Sequence, residues 1–321
     1  MSFKSLLIAN RGEIAIRIAR AASDLGIPSV AVFSEDDSAS LHTRVSDSAY
    51  QLEGKGARAY LDIEGMVAAA KAAGCDAVHP GYGFLSEQGE FAKRCGEEGI
   101  TFIGPRVEHL ELFGDKARAR EAAIKSEVPV LRGIDRAVSL DEAKVFLREA
   151  GGSMIIKAIA GGGGRGTSAV TDEGELEAIF ARCQREAKGA FGIEDVYVEE
   201  FVAQARHVEV QILGDLHGGV THLWERECSI QRRNQKVIEI APAPSLDEPL
   251  RDEIIAAAVR FAENEGYSSL GTFEFLVDTS AAPAQPFVFI EANARLQVEH
   301  TVTEEVTDVD IVQSQIRLAA G

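Results

Sequence analysis

Phe287-Val-Phe-Ile-Glu-Ala-Asn-Ala-Arg-Leu-Gln-Val-Glu-His300 is the stretch on which the reading of the fold turns. Its first four residues are apolar and β-prone, which predicts a buried strand. From Glu291 onward the odd positions are polar, namely Glu291, Asn293, Arg295, Gln297 and Glu299, and the even ones through Val298 are apolar. If the strand continues that far, a side-chain period of two puts the five polar groups on one face. A water-washed antiparallel strand also alternates, but it ordinarily carries Thr, Lys or Ser rather than two carboxylates, two amides and a guanidinium. The run reads as the floor of a site.

Upstream, across the loop Asp278 to Pro286, lies Gly271-Thr-Phe-Glu-Phe-Leu-Val277, an apolar strand interrupted by Glu274. A lone buried carboxylate is costly unless it is paired or bound to a metal. With Glu291 and Asn293 it supplies hard oxygen ligands suited to Mg²⁺ shared with phosphates. Further back, a long helix spans about Leu246 to Glu265. The segments Arg206 to Leu213 and Gly219 to Trp224 alternate, so this third of the chain is predicted to be antiparallel. The basic stretch Glu225 to Lys236 is placed to gather anions locally. His207 alone reads as a structural hydrogen-bonding residue, and Cys228 as a small buried hydrophobe.

The amino-terminal third has a different pattern. Leu6 to Ala9, a helix over Glu13 to Leu25 and the strand Ser29 to Phe33 form a βαβ unit without G-x-G-x-x-G. Helices over about 60–73 and 88–97, with strands at Ala77-Val78 and Ile100 to Ile103, repeat the unit. His79 to Gln88, HPGYGFLSEQ, follows a strand end, where open α/β sheets bind ligands. Between the two patterns, Lys116 in the first turn of a helix opposes the helix dipole and is tolerable where an anion also binds. Gly161 to Gly166, GGGGRG, is flanked by the strands Met154 to Lys157 and Thr167 to Val170. Its glycines, Gly162, Gly163, Gly164 and Gly166 among them, permit close backbone approach to phosphate oxygens. Thr167 stands where a Walker lysine would be, so Lys157 supplies the cation, and a hairpin lid over phosphates is the reading taken over a linker.

Composition narrows the function. In 321 residues, 33 Lys plus Arg stand against 51 Asp plus Glu, a net charge of −18. That argues against nucleic acid or an anionic membrane as the main partner. The four cysteines form no CxxC pair, and no apolar run approaches the roughly 18 residues of a membrane helix, so a reduced, cytoplasmic protein is expected.

Taken together, IANRGEIAIR, HPGYGFLSE, GDK, IIKAIAGGGGRG, RHVEVQ, ERECSIQRRNQKVIEIAPAP, GTFEFL and EANARLQVEH resemble the ATP-grasp biotin carboxylases, from residue 5 to the last helix. The resemblance implies an α/β (α+β) ATP-grasp fold. Its subdomains would be an amino-terminal doubly wound parallel sheet (1–112), a linker and glycine-rich lid (113–203), and an incomplete antiparallel catalytic subdomain (204–321). It implies ATP-dependent carboxylation of biotin on a separate carrier, with bicarbonate as the carbon source and Mg²⁺ or Mn²⁺ as the metal. Lys116 and Lys157 would bind phosphates. Glu199 and the backbone near Val202 would hold adenine, with His207, Gln231 and Asn234 near the nucleotide. Glu274, Glu291 and Asn293 would ligate the metal. Lys236, Arg295, Gln297 and the Val298 N–H would bind bicarbonate, and Glu299 would be the base. A carboxyltransferase and a biotin carboxyl carrier would be partners, in a homo-oligomer. Thr301, Thr167, Glu200 and Ile240 depart from common family residues. The chain ends at Gly321, where family members continue, and it holds no biotin-bearing MKM, so the carrier is expected to lie elsewhere.

Overall fold

A computed structural model describes residues 3–134, 136–159, 166–232, 235–280 and 285–321, and of Phe191 only the backbone. The βαβ pattern folds as β1 (Leu6–Ile8), α1 (Gly12–Asp24), β2 (Ser29–Phe33), α2 (His42–Val45), β3 (Ser48–Gln51), α3 (Ile63–Ala72), β4 (Ala77–His79), α4 (Gly89–Glu97) and β5 (Thr101–Phe102). The sheet is parallel in the order β3-β2-β1-β4-β5. Ile14, Ala15, Ile18, Ala21 and Ala22 recur at helical spacing and are the buried stripe of α1. The edge strand β3, Ser-Ala-Tyr-Gln, has no apolar run to announce it, and pairing with β2 alone defines it.

Next come α5 (Val107–Gly114), α6 (Lys116–Lys125), β6 (Gly133–Ile134), α7 (Leu140–Glu149), β7 (Met154–Ala158), β8 (Ser168–Val170), α8 (Leu176–Phe191) and β9 (Val196–Glu200). Four of these form a sheet in the order β6-β9-β7-β8. β7 and β8 are antiparallel, with Met154 opposite Val170, so the strands flanking the glycine run do make a hairpin. Residues 160–165, including Gly162, Gly163 and Gly164, lie outside the described residues. At the hairpin's near end Gly166 has φ +66°, and a Cβ there would stand 3.0 Å from that of Ala158.

The last part is β10 (Ala205–Gly214), β11 (Val220–Arg232), β12 (Gln235–Ile240), α9 (Glu248–Asn264), β13 (Ser269–Asp278), β14 (Phe287–Asn293), α10 (His300–Thr307) and α11 (Ile311–Ala320). The sheet β12-β11-β10-β13-β14 is antiparallel throughout. One face carries Val208, Val210, Phe273, Phe275 and Phe289 into a core with Phe261 and Phe113. Rings of Phe261 and Phe113 pack edge-on against Phe273 at 5.3 and 5.4 Å.

Two expectations are corrected here. The strand does not continue to Glu299: it ends at Asn293, and residues 295–299 reach the same region from a turn. The spacing of Val309, Val312, Ile316 and Ala320 predicts one helix over about 306–320, but the chain breaks there between α10 and α11, because Asp308 adopts a left-handed conformation and the Asp310 side chain caps α11 at the Gln313 N–H.

Candidate active site

The polar face of the third sheet is set by register. Phe287 and Phe289 enter the core, yet so do Ala292 and Ala294, which have the opposite parity. A β-bulge resolves the conflict: Glu291 pairs with Glu274 while Phe289 pairs with Phe275, leaving Ile290 as the extra residue. Bulges re-aim side chains, and this one turns Glu291 and Asn293 onto the polar face.

Across four strands that register lines up Arg226, Glu209, Glu274 and Glu291, each opposite the next. Like charges opposed across strands repel, so three carboxylates in a row require cations. Lys236 is the first, its Nζ lying 2.5 Å from Glu209, 3.2 Å from Glu274 and 2.7 Å from Glu299. Burial alone would make this ammonium less basic, but the three carboxylates hold its pKa above the ordinary lysine value. Arg226 is the second, with Nε 2.5 Å from Glu209.

Glu274 is fully buried and fully engaged. Its Oε2 is 2.6 Å from His207 Nε2, and its Oε1 accepts from Lys236, from Gln297 Nε2 at 2.7 Å and from Asn293 Nδ2. Burial would raise its pKa, but the His207 hydrogen bond and Lys236 hold it far below the ordinary carboxylate range. Glu291 keeps exposed surface at the cleft rim, and partial desolvation and then the Glu274 charge push its pKa the other way, upward, against Lys116. Glu291 accepts no hydrogen bond from a described side chain, so it is the group that a cation would satisfy. Asn293 Oδ1 accepts from Arg295 NH2 at 3.0 Å, one of its two lone-pair sites, so it remains beside the two carboxylates as an oxygen this trio offers.

The neighbouring elements complete the cleft. Lys116 at the start of α6 lines a cavity of about 350 Å³ with Ile159, Tyr197, Glu199, Phe289 and Ile290. Asp115 caps α6, accepting from Ala117 N and Arg118 N. Partial desolvation lowers the Lys116 pKa, with Glu291 opposing. A second cavity of about 230 Å³ is lined by Lys157, Val202, His207, Gln231 and Leu276. The Lys157 ammonium donates to Glu199 and connects the two linings. Gln231 Nε2 is 2.9 Å from His207 Nδ1. The HPGYGFLSEQ loop reaches the site through Glu87, which pairs with Arg295 Nε at 2.9 Å. Asn10 braces that loop with bonds of 2.7 and 2.8 Å to Pro80 O and Tyr82 O.

Lys236, Arg295, Gln297, Glu299, Glu274, His207 and Gln231 thus come together, with Glu291 and Asn293 alongside and Lys116, Lys157, Glu199 and Val202 lining the adjoining cavities. Val298 points outward, 63% exposed. Asn234 lies outside the described residues. The basic stretch does not act as one patch: Lys236 faces the carboxylates, whereas Arg226 is buried behind them. Glu209, Arg226 and Glu87 were not singled out in the sequence. Only Glu209 left a signal, as the polar residue alternating between His207 and Gln211.

A family profile described as "Biotin carboxylase, N-terminal domain" matches residues 2–110, and one described as "Carbamoyl-phosphate synthase L chain, ATP binding domain" matches residues 115–321. A crystal structure of a Campylobacter jejuni biotin carboxylase–β,γ-ATP complex is similar to this chain with a TM-score of 0.95 and 43% identity, over 100% of this chain and 71% of that one. This chain belongs to the biotin carboxylase family. The biotin carboxylase domain dimer of Hydrogenobacter thermophilus 2-oxoglutarate carboxylase, in complex with MgADP, ADP and bicarbonate, matches with a TM-score of 0.94 and 45% identity, over 100% of this chain and 70% of that one. Among curated relatives, pyruvate carboxylase of Staphylococcus aureus is 52% identical over 99% of this chain and 28% of its own length. Mitochondrial pyruvate carboxylase of Homo sapiens is 50% identical over 99% and 27%. The chain therefore spans little more than a quarter of these relatives. It has the ATP-grasp biotin carboxylase fold, a parallel amino-terminal sheet followed by antiparallel ones.

Proposed function

We propose that this chain catalyses the ATP-dependent carboxylation of biotin on a carrier domain, the first half-reaction of a biotin-dependent carboxylase. The observation that carries the reading is Glu299 Oε1, 2.7 Å from Lys236 Nζ, beside a register-opposed pair of carboxylates, Glu274 and Glu291. Bicarbonate would sit against Lys236, Arg295, Gln297 and the Val298 N–H, with its proton taken by Glu299. The bicarbonate oxygen would then attack the γ-phosphorus of ATP, ADP would leave, and carboxyphosphate would form. Lys116 and Lys157 would spread the charge of the transferring group. Glu274 and Glu291, hard oxygen donors with one of them lacking a hydrogen-bonded partner, fit Mg²⁺ or Mn²⁺. When bound, the metal would offset phosphate charge. Gly162, Gly163, Gly164 and Gly166 would cover the phosphates. Glu199, Val202, His207, Gln231 and Asn234 would hold the base and ribose end. Carboxyphosphate would release CO₂ and phosphate in the closed site, which keeps water out; the phosphate would take the proton of the biotin ureido N–H, and that nitrogen would then capture the CO₂.

The same proposal takes 1–112, 113–203 and 204–321 as subdomains, a carboxyltransferase and a carrier as partners, a dimer like that of the 2-oxoglutarate carboxylase domain, and the cytoplasm as location. No helix among the described residues is long and apolar enough to cross a membrane. A carbamoyl-phosphate-type ligase is the second reading, favoured by the profile over 115–321; the profile over 2–110 favours the first. Measuring ADP release with bicarbonate, with and without biotin, separates them. Stimulation by biotin supports the first reading, and stimulation by an ammonia donor instead overturns it.

A further inference from the structure

We propose that Arg226, buried behind the carboxylate row, is a positioning residue that fixes Glu209 and the Gln297 amide and so leaves Lys236 and the Gln297 NH₂ group aimed at the bicarbonate position. The inference rests on the reading of Lys236 and Gln297 given above. Arg226 has no exposed surface, and its fork is spent on four acceptors from three parts of the chain. Nε reaches Glu209 Oε1 at 2.5 Å, and NH1 reaches Gln211 Oε1 at 2.9 Å, both on β10. NH1 also reaches Thr303 Oγ1 on α10 at 2.8 Å, and NH2 reaches Gln297 Oε1 at 3.2 Å. A guanidinium offers donors only, in a rigid planar arrangement, and stays charged when buried.

Two consequences follow. A group that can only donate must face the oxygen of Gln297, so the NH₂ end is turned the other way, where it donates to Glu274 at 2.7 Å. An amide without that constraint could present either end. The second consequence concerns charge. Lys236 faces Glu209, Glu274 and Glu299, and a single ammonium cannot neutralise three carboxylates. With Arg226 on the far oxygen of Glu209, one of the three is already compensated, so Lys236 is opposed by two carboxylates rather than three and an incoming anion meets less negative charge. Lysine at 226 would keep the charge but reach as a point donor, unable to span Glu209, Gln211, Thr303 and Gln297 together.

The test uses Arg226→Lys and the milder Thr303→Val, which removes one acceptor and leaves the guanidinium in place. In Arg226→Lys the KM for bicarbonate should rise at least about tenfold and kcat fall while MgADP affinity by calorimetry stays close to wild type; the melting temperature should fall as well, because buried acceptors lose their donors. Thr303→Val should show a smaller change in the same direction. A role confined to stability would instead move melting temperature and nucleotide affinity with no selective change in the bicarbonate KM, and that pattern overturns the proposal. A crystal structure of Arg226→Lys gives a readout independent of turnover: the Gln297 amide and the Glu209 carboxylate should shift or reorient. If both keep their wild-type positions, the positioning role is wrong, whatever the activity. If they move but wild-type protein shows no bicarbonate-dependent ADP release, the positioning stands and the proposed function fails.

Discussion

Glu274 and Glu291 stand directly opposite one another on β13 and β14, with a bulge at Ile290 holding Glu291 in that register. Two carboxylates so placed repel, and the cost is met unequally. Glu274 has Lys236, His207, Gln297 and Asn293, whereas Glu291 meets Lys116, His207 and Lys236 through their fields, with no hydrogen bond from a described side chain, and has a raised pKa. Replacing Glu291 by Gln should therefore leave the metal-free protein as stable as wild type or more so, while weakening Mg-nucleotide binding. Loss of an outer partner of a metal ligand typically costs about 10- to 100-fold in affinity, so loss of a direct ligand should cost at least that. Thermal melts in EDTA and calorimetry with MgADP check both halves. A Glu291→Gln protein that binds MgADP normally rules out this carboxylate as a metal ligand.

Acid stability depends on Glu274. Its folded-state pKa lies far below the ordinary value of 4.5, so it contributes stability that is fully present above pH 4.5 and is lost progressively as the pH falls from there toward the depressed folded value. Glu209 and Glu291, whose pKa values are raised, act with the opposite sign. Glu274→Gln should melt lower than wild type at pH 7, because Lys236 and His207 lose a partner. Its melting temperature should nevertheless fall less as the pH is lowered from about 4.5 to about 3. Parallel profiles for the two proteins would show that Glu274 does not carry the acid response.

Lys116 borders the larger cavity, exposed at its rim where an anion can reach its ammonium. Lys116→Ala should weaken MgADP binding by about 1.5–3 kcal/mol, the usual worth of a charged hydrogen bond. Calorimetry that finds wild-type affinity would remove Lys116 from the phosphate site.

How far the sequence reaches is visible in particular residues. Four of the five strands of the parallel sheet were legible because they are short apolar runs separated by helices with a clear period, as in α1, whereas β3 was not. The carboxylates of the site were legible because Glu274 breaks an apolar strand and a buried charge needs a reason. The bulge was legible in principle, since Phe287 and Phe289 have one parity and Ala292 and Ala294 the other, but a continuous alternation was read past it. Arg226 was not legible: in a stretch that also holds the exposed Arg232, nothing local tells an inward guanidinium from an outward one. Its burial follows from the partners that β10 and α10 bring to it, contacts separated by up to 77 residues.

The aromatic layer beneath the site gives a prediction that separates stability from chemistry. Phe273 is fully buried between Phe113, Phe261, Tyr267 and Phe289, and its neighbour Glu274 points to the opposite face. Phe273→Ala should cost about 3–5 kcal/mol through lost burial and the cavity left behind. Denaturant unfolding measures this directly. A loss under about 1 kcal/mol would mean that the core repacks around the gap.

The base is the last point. Of the carboxylates around Lys236, Glu274 is engaged through both oxygens, and Glu209 is shared between Lys236 and the buried Arg226. Glu299 accepts from Lys236 through Oε1, and among the described residues its Oε2 accepts no hydrogen bond. An oxygen with spare capacity beside an ammonium is what proton abstraction from a bound anion requires, since the cation holds the substrate while the carboxylate takes its proton. Glutamine keeps the shape and loses the basicity. In the protein with its proposed activity, Glu299→Gln should leave MgADP binding nearly unchanged and cut bicarbonate-dependent ADP release by about 10²- to 10⁴-fold, the usual worth of a general base. Steady-state kinetics beside calorimetry checks the split. Near-normal turnover would move the base elsewhere, and a matching loss of nucleotide affinity would show that Glu299 serves binding rather than proton transfer.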